Sequence, residues 1–121
     1  CFRGQVYGTD MYDVLRRSQI TLNSHISAAK GSAANMRLFE ATGVGCFLLT
    51  DNMVDLRMLF EPNTQVGVYE DIEDCLKKIE HYLATSEETH CIARTGQAHT
   101  LQYHTYNKRV RQLLDFIESS R

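Results

Sequence analysis

The feature that most restricts the fold is the segment CFLLT, which spans residues 46–50 and is bounded by Gly45 and Asp51. Its apolar residues follow one another without the alternation of a half-exposed strand. This pattern is typical of a strand that is buried on both faces. Because such strands occur in parallel sheets that carry helices on both sides, the segment predicts a strand within an α/β fold.

Strand and helix patterns alternate along the rest of the chain. The short β-branched stretches QITLN (19–23) and QVGVY (65–69) predict two further strands. Alternation of this kind requires a parallel sheet with right-handed crossovers. We therefore predict a single domain over residues 1–121 with a three-layer α/β/α architecture, a Rossmann-like half-domain whose parallel sheet has three or four strands. Helices are predicted from Thr9 or Asp10, as the N-cap, to about Ser18, then over 36–42, 54–60, from Asp71 through Leu83, over 86–102 and over 103–119.

Local signals refine some of these helices. Gly43 is a typical C-terminal stop for helix 36–42. Asp51 or Asn52 is placed to cap helix 54–60, although Asp51 at a strand end could also contact a ligand. Gly96 lies inside helix 86–102 and is a predicted weak point, because glycine is a poor helix former.

Charge and cysteine usage restrict the partners and the compartment. The formal net charge of −2 gives no global positive field, so no nucleic-acid partner is predicted. No run of about 18 apolar residues is present, so no membrane span is predicted. The four cysteines lack CxxC spacing, which predicts reduced thiols and a cytoplasmic protein. The chain begins with Cys1 rather than Met, and we expect that an upstream portion is missing from it.

The five histidines do not form a metal-binding pattern. None shows H-x3-H spacing or a finger-like relation to a cysteine, so no metal site is predicted. His25 follows the strand over 19–23, and the sequence leaves open whether it contacts a ligand or packs within a loop. His104, with Tyr103 and Tyr106, is predicted to pack at the start of the last helix.

The helix that begins near Asn35 is the main candidate for a ligand site. Its first turn has backbone N–H groups without helical partners. Residues 29–34 before it have only one bulky side chain, Lys30, so a phosphate-bearing ligand can approach the backbone. Arg37 in that turn could bind a diphosphate through its planar guanidinium. Glu40 shares a helix face with Arg37 and could accept hydrogen bonds from vicinal hydroxyls. The same spacing also fits a simple i,i+3 ion pair between these two side chains.

Four segments also carry a family resemblance, and they lie in the expected order from Ser18 onwards. They are SQITLNSH, NMRLFEATGVGCFLLTD, DLRMLFEPNTQVGVYED and the tail AxxGQAHTLQYHTYNKRVRQLL, which begins at Ala93. Together they resemble the C-terminal domain of group 1 glycosyltransferases with the two-domain GT-B fold. The resemblance is closest to the spore-maturation (CgeB-type) branch.

The resemblance implies specific roles within the helix segment. Glu40 falls on the second glutamate of the family's E-x7-E element, which holds the ribose of the donor nucleotide. Asn35, Met36 and Arg37 fall where family members present backbone amides to the diphosphate. Ser32 falls on the first glutamate, which contacts the donor sugar in the family, and it is not acidic.

The implied function is binding of a nucleotide diphosphate sugar for transfer of its hexosyl group to an acceptor hydroxyl. The resemblance implies no metal and no other cofactor, and it assigns the catalytic base to an N-terminal acceptor domain that this chain lacks. The chain alone is therefore expected to be inactive, and a second copy is expected to cover the edge of its sheet. The alternative is a non-catalytic nucleotide-binding or interaction module of flavodoxin-like type.

Overall fold

A parallel sheet of three strands organises the part of the chain that the computed structural model describes, residues 3–25 and 35–120. The strand order is β1-β2-β3. Ile20 of β1 is paired with Phe47 of β2, and Leu49 of β2 with Gly67 of β3. The elements are α1 (Gly8–Arg17), β1 (Ile20–Asn23), α2 (Arg37–Gly43), β2 (Phe47–Asp51), β3 (Gly67–Tyr69), α3 (Ile72–Ala84), α4 (Ser86–Tyr103) and α5 (Tyr106–Ser119).

The segment CFLLT supplies four of the five residues of β2 and is buried on both faces, as predicted. Leu48 belongs to an apolar cluster on one face of the sheet, where side chains from α1 and α2 pack. Phe47 and Leu49 belong to a second cluster on the other face, where side chains from α3 and α4 pack. The rings of Phe47 and Tyr82 lie 4.4 Å apart in that cluster. The predicted α/β class and Rossmann-like layering with a parallel sheet are therefore confirmed.

Helix α4 crosses beneath the amino ends of β2 and β3 and contacts both helical layers. Near its start, Ile92 and Ala93 belong to the second apolar cluster. Near its end, the hydroxyls of Thr100 and Thr42 lie 2.6 Å apart, which joins α4 to α2. Gly96 lies between these contacts, and a Cβ atom there would overlap the carbonyl oxygen of Gln65. Gly96 is thus a point of close backbone approach rather than a weak point.

The predicted helix over residues 54–60 is wrong. Only a single 3₁₀ turn forms in this region, from Leu56 to Met58. Leu56 and Phe60 are fully buried in the first cluster, whereas Val54 is 92% exposed. Leu56 and Phe60 are four residues apart and face the same cluster, and the Phe60 backbone N–H donates to the Leu56 carbonyl at 2.9 Å. A single turn is therefore enough to bury both side chains.

Helix boundaries agree with the predictions at some ends and differ at others. Asp71 caps α3 as expected, because its Oδ1 accepts a hydrogen bond from the Asp74 backbone N–H at 2.8 Å. Thr9 and Asp10 lie inside α1 instead of capping it. Helix α4 continues through Tyr103, and α5 starts three residues later with Thr105 as its N-cap. These helix ends differ from the predicted ones by a few residues, which is common because helix ends fray and local sequence does not fix the terminal residue.

Helix α5 contributes no buried residue to the described structure. Its apolar side chains are exposed in a stripe along the helix. None of the described helices is both long enough and apolar enough to cross a membrane. The members of the α5 stripe are Val110, Leu113, Leu114 and Ile117.

Candidate functional site

The start of α2 is tied to the carboxyl edge of the sheet by a pair of side-chain amides. Asn35 Nδ2 donates to Asn23 Oδ1 at 3.1 Å, and Asn23 Nδ2 donates to Asn35 Oδ1 at 3.3 Å. Asn23 Nδ2 also lies 3.1 Å from the Thr50 hydroxyl oxygen. Since Asn23 ends β1 and Thr50 lies in β2, these bonds hold the helix start over the junction of two parallel strands.

The structure describes four of the five predicted site residues at or after this junction. Helix α2 begins at Arg37, and Met36 precedes it with a side chain that is 60% exposed. The backbone N–H groups of Phe39 and Glu40 both donate to the Met36 carbonyl at 3.0 Å. The amides before them belong to the first turn, where helical geometry supplies no acceptor. The fifth predicted residue, Ser32, lies outside the described residues.

Arg37 and Glu40 contact each other, as their spacing allowed. The Nε atom of Arg37 lies 3.4 Å from Oε2 of Glu40, and the two side chains are 39% and 17% exposed. A helical i,i+3 pair of this type, partly open to solvent, contributes only about 0.2–0.5 kcal/mol to stability. The predicted ion pair between Arg37 and Glu40 is therefore present. The assignment of ribose binding to Glu40 stays a prediction.

A groove of about 670 Å³ opens beside α2 and includes Glu40 and Met36 in its wall. The rest of the wall comes mainly from apolar and aromatic side chains of α1, α2, α4 and α5. Arg109 at one end donates to Nδ1 of His104 at 2.6 Å, and His104 Nε2 lies 3.1 Å from the Leu59 carbonyl oxygen. Burial, with the charges of Arg109 and His99, lowers the pKa of His104. His104 therefore packs as a neutral ring at the α4–α5 junction, as expected.

A buried histidine–aspartate pair lies at the same edge of the sheet. The Nδ1 atom of His25 is 2.6 Å from Oδ1 of Asp51, and the His25 backbone N–H donates to Oδ2 at 3.0 Å. The His25 side chain is only 1% exposed. Although burial raises the pKa of the Asp51 carboxyl, the hydrogen bonds and charge of His25 outweigh burial and hold that pKa below its usual value.

This pairing answers a question that the sequence left open for Asp51. Asp51 does not act as a helix cap, because its carboxylate is occupied by His25 and by the Thr50 hydroxyl at 3.2 Å. At the same carboxyl edge of the sheet, the Tyr69 hydroxyl at the end of β3 donates to the Asn23 carbonyl at the end of β1 at 2.8 Å. The sequence signal that could have revealed the pair is the position of both residues at the ends of strands that become neighbours.

The described residues do not contain three His, Cys, Asp or Glu side chains placed to hold one metal ion. Cys46 and Cys75 are buried free thiols, and Cys91 is an exposed one. Burial raises the pKa of both Cys46 and Cys75. Because a raised pKa keeps a thiol protonated, these two cysteines are packing residues rather than nucleophiles.

Comparison with protein families decides the broad class. Residues 1–115 match the model of the glycosyl transferase-like family, and this match covers most of the 121 residues. The chain belongs to the glycosyl transferase-like family. A search of curated proteins found no significant match. Family membership thus assigns glycosyl transfer as the general activity. In this glycosyl transferase-like fold, the ends of β1 and β2 and the start of α2 converge at the carboxyl edge of the sheet, which is called the α2 edge below.

Proposed function

We propose that this chain is the C-terminal, donor-binding part of a GT-B glycosyltransferase of the spore-maturation (CgeB-type) branch. The observation that carries the proposal is the Asn23–Asn35 amide pair, which holds the start of α2 at the carboxyl edge of the parallel sheet. Ligands of open parallel sheets bind at this edge, beside helix starts. For a member of a glycosyl transferase-like family, the ligand with matching chemistry is a nucleotide diphosphate sugar.

In this proposal the donor is bound by the residues of the α2 segment. The first-turn amides after Asn35, with the Arg37 guanidinium, bind the diphosphate, and Glu40 accepts hydrogen bonds from the ribose hydroxyls. Ser32 is assigned to the donor sugar by its position in the family motif. The leaving nucleoside diphosphate is stabilised by these protein donors without a metal, which is a form of electrostatic catalysis.

The Arg37–Glu40 ion pair has to open when the donor binds. Arg37 turns towards the diphosphate, and Glu40 is then free to accept from the ribose. Because Arg37 is 39% exposed, the lost attraction is small and the charged hydrogen bonds to the ligand outweigh it. The ion pair and ligand binding are therefore successive states of the same two side chains.

Replacing Glu40 with alanine is expected to weaken nucleoside diphosphate binding by about 1–3 kcal/mol, the cost of losing hydrogen bonds to a charged group. Isothermal titration calorimetry with UDP, GDP and ADP measures this change. Glu80→Ala is the matched control, because Glu80 is an exposed glutamate on α3. Equal affinities for Glu40→Ala and the unchanged chain would exclude ribose binding by Glu40.

The proposal assigns acceptor binding and the catalytic base to a separate N-terminal domain. The 121-residue chain is accordingly expected to bind the donor but to transfer no sugar, even with acceptor present. Sugar transfer is measured by chromatography as the nucleoside diphosphate released from a sugar nucleotide. Turnover by this chain alone would overturn the division of labour.

The outer edge of β1 and the apolar stripe of α5 are available for that domain or for a second copy of the chain. In the described structure β1 pairs only with β2, which leaves its outer edge open, and Leu22 in β1 is 55% exposed. The apolar stripe of α5 is also uncovered. We propose that a second copy covers the β1 edge when this chain is alone, and that the protein is cytoplasmic, which the free thiols of the described cysteines support.

A further inference from the structure

One ring nitrogen of His25 is buried without a hydrogen-bond partner among the described residues. The atom is Nε2, and it lies in a side chain that is 1% exposed. An unpaired buried polar atom has lost its hydrogen bonds to water without replacing them, so such atoms are rare in native proteins and each requires an explanation. A ligand that supplies the missing partner is one explanation, and the surroundings of His25 favour it.

The chemistry of Asp51 determines which atom His25 offers. The lowered pKa of the Asp51 carboxyl keeps it ionised near neutral pH, so it can only accept hydrogen bonds. The His25 Nδ1 atom, 2.6 Å away, must therefore carry a hydrogen and donate it. The His25 backbone N–H donates to the other carboxylate oxygen at 3.0 Å. Two bonds to one carboxylate fix the ring and leave Nε2 as its only free polar atom.

The pair is continuous with the start of α2. The Thr50 hydroxyl donates to Asp51 Oδ1 at 3.2 Å and is itself 3.1 Å from Asn23 Nδ2. Asn23 in turn holds Asn35, which lies two residues before the start of α2. A chain of hydrogen bonds thus links the histidine to the segment to which donor binding is assigned.

We propose that His25 is a donor-binding residue whose Nε2 atom hydrogen-bonds an oxygen of the nucleotide diphosphate sugar. Asp51 is its positioning residue, since it sets the tautomer and orientation of the ring without touching the ligand. When the ring is neutral, Nε2 accepts from a sugar hydroxyl, and when the ring is charged, it donates to a phosphate oxygen. This inference rests on the proposed function, because it assumes that the α2 edge binds such a donor.

Two isosteric substitutions separate a ligand contact from a purely structural role. His25→Asn keeps an amide nitrogen near the position of Nδ1 and can still donate to Asp51, but it removes the group at Nε2. His25→Gln places its amide near Nε2 and loses the group at Nδ1. With UDP, GDP, ADP and the corresponding glucose nucleotides as probes, His25→Asn should raise the dissociation constant at least about tenfold with little change in melting temperature.

The substitution His25→Gln should retain more affinity than His25→Asn. A structural role predicts the reverse order, with normal binding for His25→Asn and a lower melting temperature for His25→Gln. A loss already seen with the nucleoside diphosphates assigns the contact to the diphosphate, whereas a loss confined to the glucose nucleotides assigns it to the sugar. Both of these outcomes support the inference.

A measurement on the unchanged chain tests the His25 contact even if the variants do not fold. Long-range ¹H–¹⁵N correlation spectra of the histidine rings should show a shift of His25 Nε2 on addition of ligand, while the exposed rings of His81 and His90 stay unchanged. If ligand binds and Glu40→Ala weakens it, but neither the His25 signal nor His25→Asn binding changes, the His25 inference is overturned and the proposed function stands. If no ligand binds the unchanged chain, both are overturned.

Discussion

Gly96→Ala should lower the free energy of unfolding by about 3 kcal/mol, the upper part of the usual cost of overpacking. In an exposed helix the same change would add about 1 kcal/mol of stability, because alanine is the better helix former. Here the new Cβ atom would meet the carbonyl oxygen of Gln65, which is backbone and cannot rotate away. Relief requires α4 to move from the amino edge of the sheet, and this would disturb the 2.6 Å contact between the hydroxyls of Thr42 and Thr100.

Gly43→Ala is the matched control, because Gly43 is also helical but a Cβ atom there would meet only the Thr100 methyl group at an ordinary 3.7 Å. Its unfolding free energy should stay within about 0.5 kcal/mol of the unchanged chain. Urea denaturation followed by circular dichroism measures both variants. Equal stability of Gly96→Ala and Gly43→Ala would contradict the close approach of α4 to Gln65.

Asp51→Ala is expected to cost about 3 kcal/mol at neutral pH. The Asp51 carboxylate accepts two hydrogen bonds from His25, and bonds to a charged group each contribute about 1.5–3 kcal/mol. The histidine side chain is 1% exposed, so water does not replace the lost acceptor. The control is Asp115→Ala on α5, an exposed aspartate whose removal should change stability by less than about 0.5 kcal/mol.

The cost of Asp51→Ala should also depend on pH in a defined direction. The pKa of Asp51 is lowered by folding, so its contribution is fully present above the unfolded value of about 3.9 and is lost as pH falls through the lower folded value. The difference between Asp51→Ala and the unchanged chain should thus shrink as pH falls below about 4. A difference that stays the same down to pH 2 would show that Asp51 does not act through its charge.

The sheet could be predicted because its signal is local. The segment CFLLT is apolar without interruption, a pattern that is typical of a short strand covered on both faces. Asp71 likewise caps α3 through contacts within four residues of itself. The region 54–60 misled the prediction because its apolar residues suggest a helix by composition, whereas a single turn already buries both Leu56 and Phe60.

The site was only partly predictable for a related reason. Asn35, Arg37 and Glu40 are close in sequence, so their joint position at one helix start followed from spacing. His25 and Asp51 are 26 residues apart, and their contact depends on the register of β1 against β2, which no local pattern specifies. Gly96 is similar, since its partner Gln65 lies beyond the whole of α3.

The crossing of α4 also has a consequence for the order of folding events. Thr100 contacts Thr42 across 58 positions of sequence. Closing such a long loop lowers the chain entropy before the contact contributes any stabilising free energy. The β1–α2–β2 unit can form from residues much nearer in sequence, so the late step is the arrival of α4 under the strands. We therefore expect the amino edge of the sheet to stay open to water, and to other chains, until α4 has been synthesised.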